Sequence, residues 1–287
     1  MKKTVFSFLR DKRVAIEIPF DPKEATTVIT DFIRTYVKVA GVKSVVVGLS
    51  GGVDSAVVAV LCKKAVGDKD VHCLFLPETT TPEKDREHYK LLVKKFSLNT
   101  ETRDISQLVK ETENASLTLP DERSLANIKA RLRMILLFEY ANMTESLVCG
   151  TSNKSELLIG YFTKYGDGGV DIQPIGDLYK TQVLKLAQHL RIPKEIIAKP
   201  PTAGLWFGQT DEKEIGLPYT VLDQILHGLE LKFPLPRIAE SIPTTIENVK
   251  KVKTMRVKSQ HKRRTPLIPK IGVRTVSLDW RSPVQEG

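Results

Sequence analysis

Apolar positions along the chain follow two alternating patterns. Ala25, Val28, Ile29, Phe32, Ile33, Tyr36, Val37 and Ala40 recur at the spacing of one helix face. Asp21-Pro22 supplies a cap and the proline of a first helical position, so the pattern predicts a helix over 22–40, closed by Gly41. The stretch Ser44-Val45-Val46-Val47-Gly48-Leu49 is instead a continuous β-branched run, the pattern of a strand buried on both faces. A helix over 55–65 ending near Gly67, a second buried strand over 71–76, a helix over 83–96 and a third strand over 100–105 follow. Leu125, Ile128, Leu132, Ile135, Leu136 and Tyr140 mark a long amphipathic helix reaching 143; a strand over 146–149 and a helix over 178–190 come after it.

Strands alternating with helices predict an α/β fold, a parallel sheet with helices on both faces in a Rossmann-like three-layer arrangement. Ligands in such sheets sit at the carboxyl ends of strands, so the loops after Leu49 and Cys149 are the first places to look. No domain-joining linker interrupts the pattern. We expect one domain over 1–287, with a core over 43–205, a less regular C-terminal third and an irregular basic segment over 249–287.

Charge adds one feature. Of 44 Lys+Arg, ten fall between residues 249 and 278, where no Asp or Glu occurs; elsewhere basic and acidic residues balance. This segment is either a solvated tail or the partner of a local anion, whether phosphate, nucleic acid or an acidic surface. Cys62, Cys73 and Cys149 lie far apart without metal spacing, an odd, sparse count that fits a reducing cytoplasm; Cys73 and Cys149 fall in strand-like apolar runs and read as buried inert thiols. The histidines form no metal-binding cluster. No apolar run is long enough to span a membrane, and no secretory leader is expected.

The richest chemistry lies between the first strand and the next helix: Gly48, Leu49, Ser50, Gly51, Gly52, Val53, Asp54 and Ser55. Adjacent glycines let backbone approach a ligand, the helix start offers free N–H groups to an anion, and two serines add donors. The lysine of a Walker loop is missing, and Asp54 stands in its place. A carboxylate beside phosphate is reasonable where Mg²⁺ bridges the two. Three further segments are candidates. In Gly150-Thr151-Ser152-Asn153-Lys154-Ser155-Glu156, Asn153 and Glu156 read as a capping box, while Glu156 is also placed to share the Mg²⁺ of Asp54. Phe162-Thr163-Lys164-Tyr165-Gly166-Asp167-Gly168-Gly169-Val170-Asp171 is a Gly-rich turn or a charged ligand loop. His261-Lys262-Arg263-Arg264-Thr265-Pro266 sits inside the basic segment.

The Ser50-to-Ser55 stretch resembles the S-G-G-x-D-S pyrophosphate loop of the ATP pyrophosphatase (N-type) superfamily. With the Lys164-to-Asp171 loop, Lys199-Pro200-Pro201-Thr202-Ala203 and Asn127-Ile128-Lys129-Ala130-Arg131, the chain resembles the ammonia-dependent NAD synthetases from about Ile29 to Pro266. Many bacterial members carry Gly-Thr-Asp-His where this chain has Gly-Thr-Ser-Asn; Thr151 and Glu156 are kept. The resemblance implies a ligase that adenylates deamido-NAD with MgATP and amidates it with ammonia, releasing AMP and pyrophosphate. It implies ATP contacts from Gly48 to Ser55 and from Thr151, Lys180 and Thr202. Mg²⁺ would lie on Asp54 and Glu156, and deamido-NAD on Arg131, Lys164, Asp171, His261 and Lys262. Lys180 would neutralise phosphate charge, with Asp54 and Asp167 as further catalytic groups, Asp167 near the ammonia. A homodimer is implied, with the helices over 22–40 and 125–143 as interface elements. Family members using glutamine carry an added amidase domain, for which the region before residue 48 has no room. Two other readings stand beside this one: a tRNA-modifying enzyme with the same loop, favoured by the basic segment, and a non-catalytic nucleotide-binding module. The first would bind nucleic acid, which we do not expect here.

Overall fold

A computed structural model of the chain describes residues 16–202, 204, 206 and 208–275. Ala203 and residues 276–287 lie outside that set.

Helix α1 (Pro22–Val39) starts at Asp21, whose carboxylate accepts the backbone N–H groups of Lys23 and Glu24. Then come β1 (Ser44–Gly48), α2 (Val53–Val66), β2 (Val71–Phe75), α3 (Glu83–Phe96), β3 (Thr100–Thr102), α4 (Ser106–Asn114), α5 (Glu122–Met143) and β4 (Ser146–Cys149). The four strands form one parallel sheet in the order β3-β2-β1-β4. All four strand ends therefore face the same way. β1 is central, and its valines divide between the two faces. Val45 and Val47 pack under α1 and α2, while Val46 packs under α4 and α5. This is the helix-on-both-faces arrangement expected. A bridge from Cys149 to Ile172 continues the sheet edge beyond β4.

Two expectations need correction. The third strand ends at Thr102 instead of 105, because Asp104 accepts the N–H of Ser106 at 2.8 Å and turns the chain into α4. The C-terminal third is more helical than expected. α6 (Lys154–Ile159) and α7 (Lys180–His189) precede it, and it holds α8 (Lys194–Ile197), α9 (Asp211–Ile215), α10 (Tyr219–Glu230), α11 (Leu235–Ser241), α12 (Ile246–Lys258) and a 3₁₀ turn (Gln260–Arg263), with residues 264–275 free of helix. Leu222, Ile225, Leu226, Ile238, Val249 and Val252 from these helices form a second core. The basic segment begins inside α12. All three cysteines are buried and free, and burial pushes the Cys73 thiol up to about 12, consistent with inert thiols.

Candidate functional site

The loop from Gly48 to Ser55 leaves β1 at its carboxyl end and enters α2 through Gly52, the N-cap. Gly51 has φ +83, and a Cβ on it would lie 2.5 Å from the Asp85 carbonyl oxygen. Only glycine fits this point without displacing α3. Asp85 is itself fixed by an ion pair with Lys199, which brings the Pro200-Pro201-Thr202 segment against the loop. The Ser55 hydroxyl donates to the Gly52 carbonyl at 3.0 Å and accepts the Ser50 N–H at 3.2 Å, while Ser50 Oγ accepts the Gly52 N–H. Leu49 is buried beneath the loop, and Val53 opens α2. The loop is thus pre-shaped, with the first turn of a 14-residue helix behind it.

Asp54 occupies that first turn. Its Oδ2 pairs directly with Lys180 Nζ, and its Oδ1 accepts the Asn153 side-chain amide at 3.3 Å. Glu156 Oε1 stands 3.8 Å from the same ammonium. The capping-box reading of Glu156 holds, and the oxygens divide. Its Oε2 accepts the Asn153 N–H at 3.2 Å and its own N–H donates to Asn153 Oδ1, closing the capping box of α6, while Oε1 faces the lysine. Lys180 is 2% exposed. Burial opposes its charge, but the carboxylates of Asp54, Glu156 and Asp211 together outweigh that and hold the ammonium above its ordinary range. Burial, then the charge of Asp54, raises the Glu156 carboxyl, against the pull of Lys180.

Sequence reasoning missed the groups that hold this cluster. Lys180 opens α7, where its N–H donates to Ser155 Oγ at 2.9 Å and the Thr181 N–H donates to Asp223 Oδ2 at 2.9 Å. Ser155 in turn donates to Asp223, which is fully buried. Asp211, 4% exposed, adds a third carboxylate. Asp211 opens α9 and Asp223 lies inside α10, so neither carries a local sequence signal of its role.

Of the remaining predicted residues, Lys164, Asp167 and Asp171 lie on the Gly-rich loop, and Arg131 and Lys262 contact it. Arg131 donates to the Lys164 carbonyl at 3.4 Å, and Lys164 Nζ lies 5.0 Å from the Tyr165 ring centroid. Asp167 Oδ1 accepts the Thr163 N–H at 2.9 Å, closing that turn. Asp171 Oδ2 accepts the Val148 N–H at 2.7 Å, so one of its oxygens is committed to the sheet edge. Lys262 Nζ donates to the Gly160 and Phe162 carbonyls, both at 2.7 Å; two of its three donors hold the loop entrance. His261 is exposed on the 3₁₀ turn. Thr151 follows β4 directly, and the Thr202 hydroxyl accepts the Gly204 N–H at 3.0 Å.

The basic segment is not simply a solvated tail. Arg263 Nη1 donates to the Leu157 and Leu158 carbonyls at 2.9 and 2.8 Å, and Lys251 Nζ donates to the Ile215 carbonyl at 2.6 Å. These cations meet carbonyls at the C-terminal ends of α6 and α9, where the helix dipole favours positive charge.

Among the described residues no group of three His, Cys, Asp or Glu side chains stands ready to hold a metal alone. Two carboxylates on one buried point, beside a phosphate-type loop, still fit Mg²⁺, which takes one or two carboxylates and fills its shell with substrate phosphate and water. No helix among the described residues is long and apolar enough to cross a membrane.

Residues 25–266 match the family model described as NAD synthase. An NH(3)-dependent NAD(+) synthetase of Sulfurisphaera tokodaii is 41% identical over 279 residues, covering 94% of this chain and 97% of that protein. Among solved structures, an NMN synthetase from Francisella tularensis superposes with TM-score 0.79 at 31% identity, over 88% of this chain and all of the other. An NH3-dependent NAD synthetase from Campylobacter jejuni gives TM-score 0.75 at 32% identity over the same shares.

Proposed function

The chain belongs to the NAD synthase family, and from that premise we propose that it is an ammonia-dependent NAD synthetase. The observation that carries this is Lys180, buried between Asp54 and Glu156 at the mouth of a glycine-shaped anion loop. In this reading the loop N–H groups and the Ser50 and Ser55 hydroxyls receive the ATP phosphates, with Thr151 and Thr202 at the nucleotide's flanks. Asp54 and Glu156 would hold the Mg²⁺ of MgATP. Bound there, the metal would lower the charge on the departing pyrophosphate.

The chemistry needs activation because a nicotinate carboxylate is a poor acyl donor. One carboxylate oxygen of deamido-NAD attacks the α-phosphorus, and the bond from that phosphorus to the β-phosphate oxygen breaks. Lys180 is the chain's own cation at the point where pyrophosphate charge grows. Ammonia then adds to the acyl carbon, loses a proton, and AMP leaves with the C–O bond's electrons. Arg131, Lys164, Asp171, His261 and Lys262 would orient deamido-NAD on the Gly-rich loop, and Asp167 would stand near the ammonia. The protein's task is mostly positioning and charge.

Two copies would associate through the apolar faces left open on α1 and α5, where Val28, Phe32, Ile135 and Met143 are exposed. The test supplies deamido-NAD, MgATP and an ammonium salt and follows NAD and AMP in equal amounts. Because the Francisella neighbour is named an NMN synthetase, a parallel reaction offers nicotinate mononucleotide. Product only from the mononucleotide would move the substrate assignment, and AMP formation without either amide would overturn the amidation.

A further inference from the structure

The buried ammonium of Lys180 relies on two carboxylates, one in direct contact and one at 3.8 Å. On the reading just given, the same two carboxylates turn to the metal of MgATP. An oxygen committed to a dication has less to offer an ammonium. Lys180 is 2% exposed, so water cannot replace what it loses. A buried charge whose partner is withdrawn is strongly destabilising unless another takes its place.

Asp211 offers that place. It opens α9, is 4% exposed, and its Oδ2 accepts the Tyr219 hydroxyl at 3.2 Å. Its Oδ1 has no hydrogen-bond partner. Buried polar atoms are nearly always paired, so an orphan oxygen inside a charged cluster calls for an explanation. The residue is close enough that Lys180 and Asp54 both act on its carboxyl, and it acts on that of Glu156. The Tyr219 ring that anchors Oδ2 also lies beneath the ammonium, 5.5 Å from Lys180 Nζ to its centroid. Asp211 is not loosely hung. Its N–H donates to the Pro201 carbonyl at 3.0 Å, which ties it to the segment carrying Thr202. The Tyr161 hydroxyl donates to Glu214 and also lies close enough to Asp211 to favour its charged form.

The geometry points to Asp211 as a positioning residue: it takes over Lys180 when Asp54 and Glu156 turn to the metal of MgATP, and so keeps the ammonium at the phosphate end of the site. The inference rests on the MgATP reading of the Asp54–Glu156 pair. It explains why a third carboxylate lies buried beside a lysine that already has two, and why one of its oxygens is left open.

The experiment is calorimetry of ATP binding to the full chain, with and without Mg²⁺, in the absence of deamido-NAD and ammonia so that nothing turns over. Asp211→Asn keeps the shape and the acceptor for Tyr219 but offers no negative charge. In wild type, Mg²⁺ tightens ATP binding. In Asp211→Asn that tightening falls by about ten-fold or more, because a buried lysine then loses its substitute partner, while metal-free ATP binding stays near wild type. Asp211→Glu restores part of the response, and Tyr219→Phe, which keeps the carboxylate, retains it. Should Asp211→Asn fail to fold, Asp211→Ser gives the same measurement. Equal Mg²⁺ tightening in wild type and Asp211→Asn overturns the inference alone. A wild-type chain whose ATP affinity ignores Mg²⁺ overturns the metal reading beneath it as well.

Discussion

Replacing Gly51 by alanine tests the phosphate loop most directly. Two costs can be separated. A left-handed backbone costs an L-residue about 1–2 kcal/mol, and Gly51 has φ +83. The new Cβ would also lie 2.5 Å from the Asp85 carbonyl oxygen, so loop or helix must give by several tenths of an ångström. Overpacking of that kind costs about 1–3 kcal/mol. Asp85 cannot retreat freely, because Lys199 holds its side chain. Together the two effects come to about 2–5 kcal/mol. Spread over the unfolding entropy of a chain this long, that lowers the melting temperature by about 3–8 °C. Gly41→Ala is the control: φ is +71, but nothing lies within 4 Å of its Cβ. It should lose about 2–3 °C and keep wild-type activity. Gly51→Ala also moves the phosphate donors, and misplacement on the ångström scale costs about 10²-fold in kcat/KM. Thermal melts and initial rates on the pair decide the matter. If Gly51→Ala behaves like Gly41→Ala in both, the close approach to Asp85 has no structural weight and the argument fails.

Other outcomes follow from the same geometry. Asp54→Asn and Glu156→Gln should each lower turnover by about 10²-fold or more and raise the Mg²⁺ concentration needed for half activity, read from rates titrated with Mg²⁺. Glu78→Gln removes the carboxylate that Lys129 Nζ meets at 3.0 Å in the interior and should cost about 3–5 kcal/mol in a denaturant melt. Burial would raise the Glu78 carboxyl, but bonds from Thr80 and the charge of Lys129 outweigh it and hold the group below its ordinary 4.5. Its stabilisation is therefore complete above pH 4.5 and lost as the pH falls through the lower folded value, so the wild type should lose more stability on acidification than Glu78→Gln does. Arg263→Ala removes the guanidinium from two carbonyls at the end of α6, leaving them the weaker Gly160 N–H and Ser259 hydroxyl; we expect a loss of about 1–3 kcal/mol and a fall in activity, since Glu156 rides on that helix.

What could be read from the chain, and what could not, divides on a physical line. The phosphate loop was legible because each residue there has a local reason: two glycines for the turn, serines for donors, Asp54 at a helix start. Glu156 was legible because a capping box is a local pattern, and its other carboxylate oxygen faces Lys180. Asp211 and Asp223 gave no such signal. Each is an ordinary helix residue until tertiary packing sets it beside Lys180, 31 and 43 positions away. The C-terminal helices are a different case. Pro218 and Pro234 sit at helix N-caps, where a missing N–H costs nothing. Leu222, Ile225 and Leu226 have helical spacing and are buried on α10.

The closure of α6 by Arg263 also sets an order of events in time. The carbonyls of Leu157 and Leu158 wait for a guanidinium 106 and 105 residues further along. At ribosomal speeds of about 5–20 residues per second, that interval is about 5–20 s. During it the nascent chain already holds the glycine loop, the four strands and Glu156, but not the group that fastens the helix bearing Glu156. Lys180 and Asp211 arrive within the same interval, and the fastening comes last. A chain stopped short of Arg263 therefore carries every carboxylate and glycine of the cluster without the clamp, and ribosomal stalling in α12 should leave a nucleotide loop able to form ahead of a catalytic cluster that is not yet held.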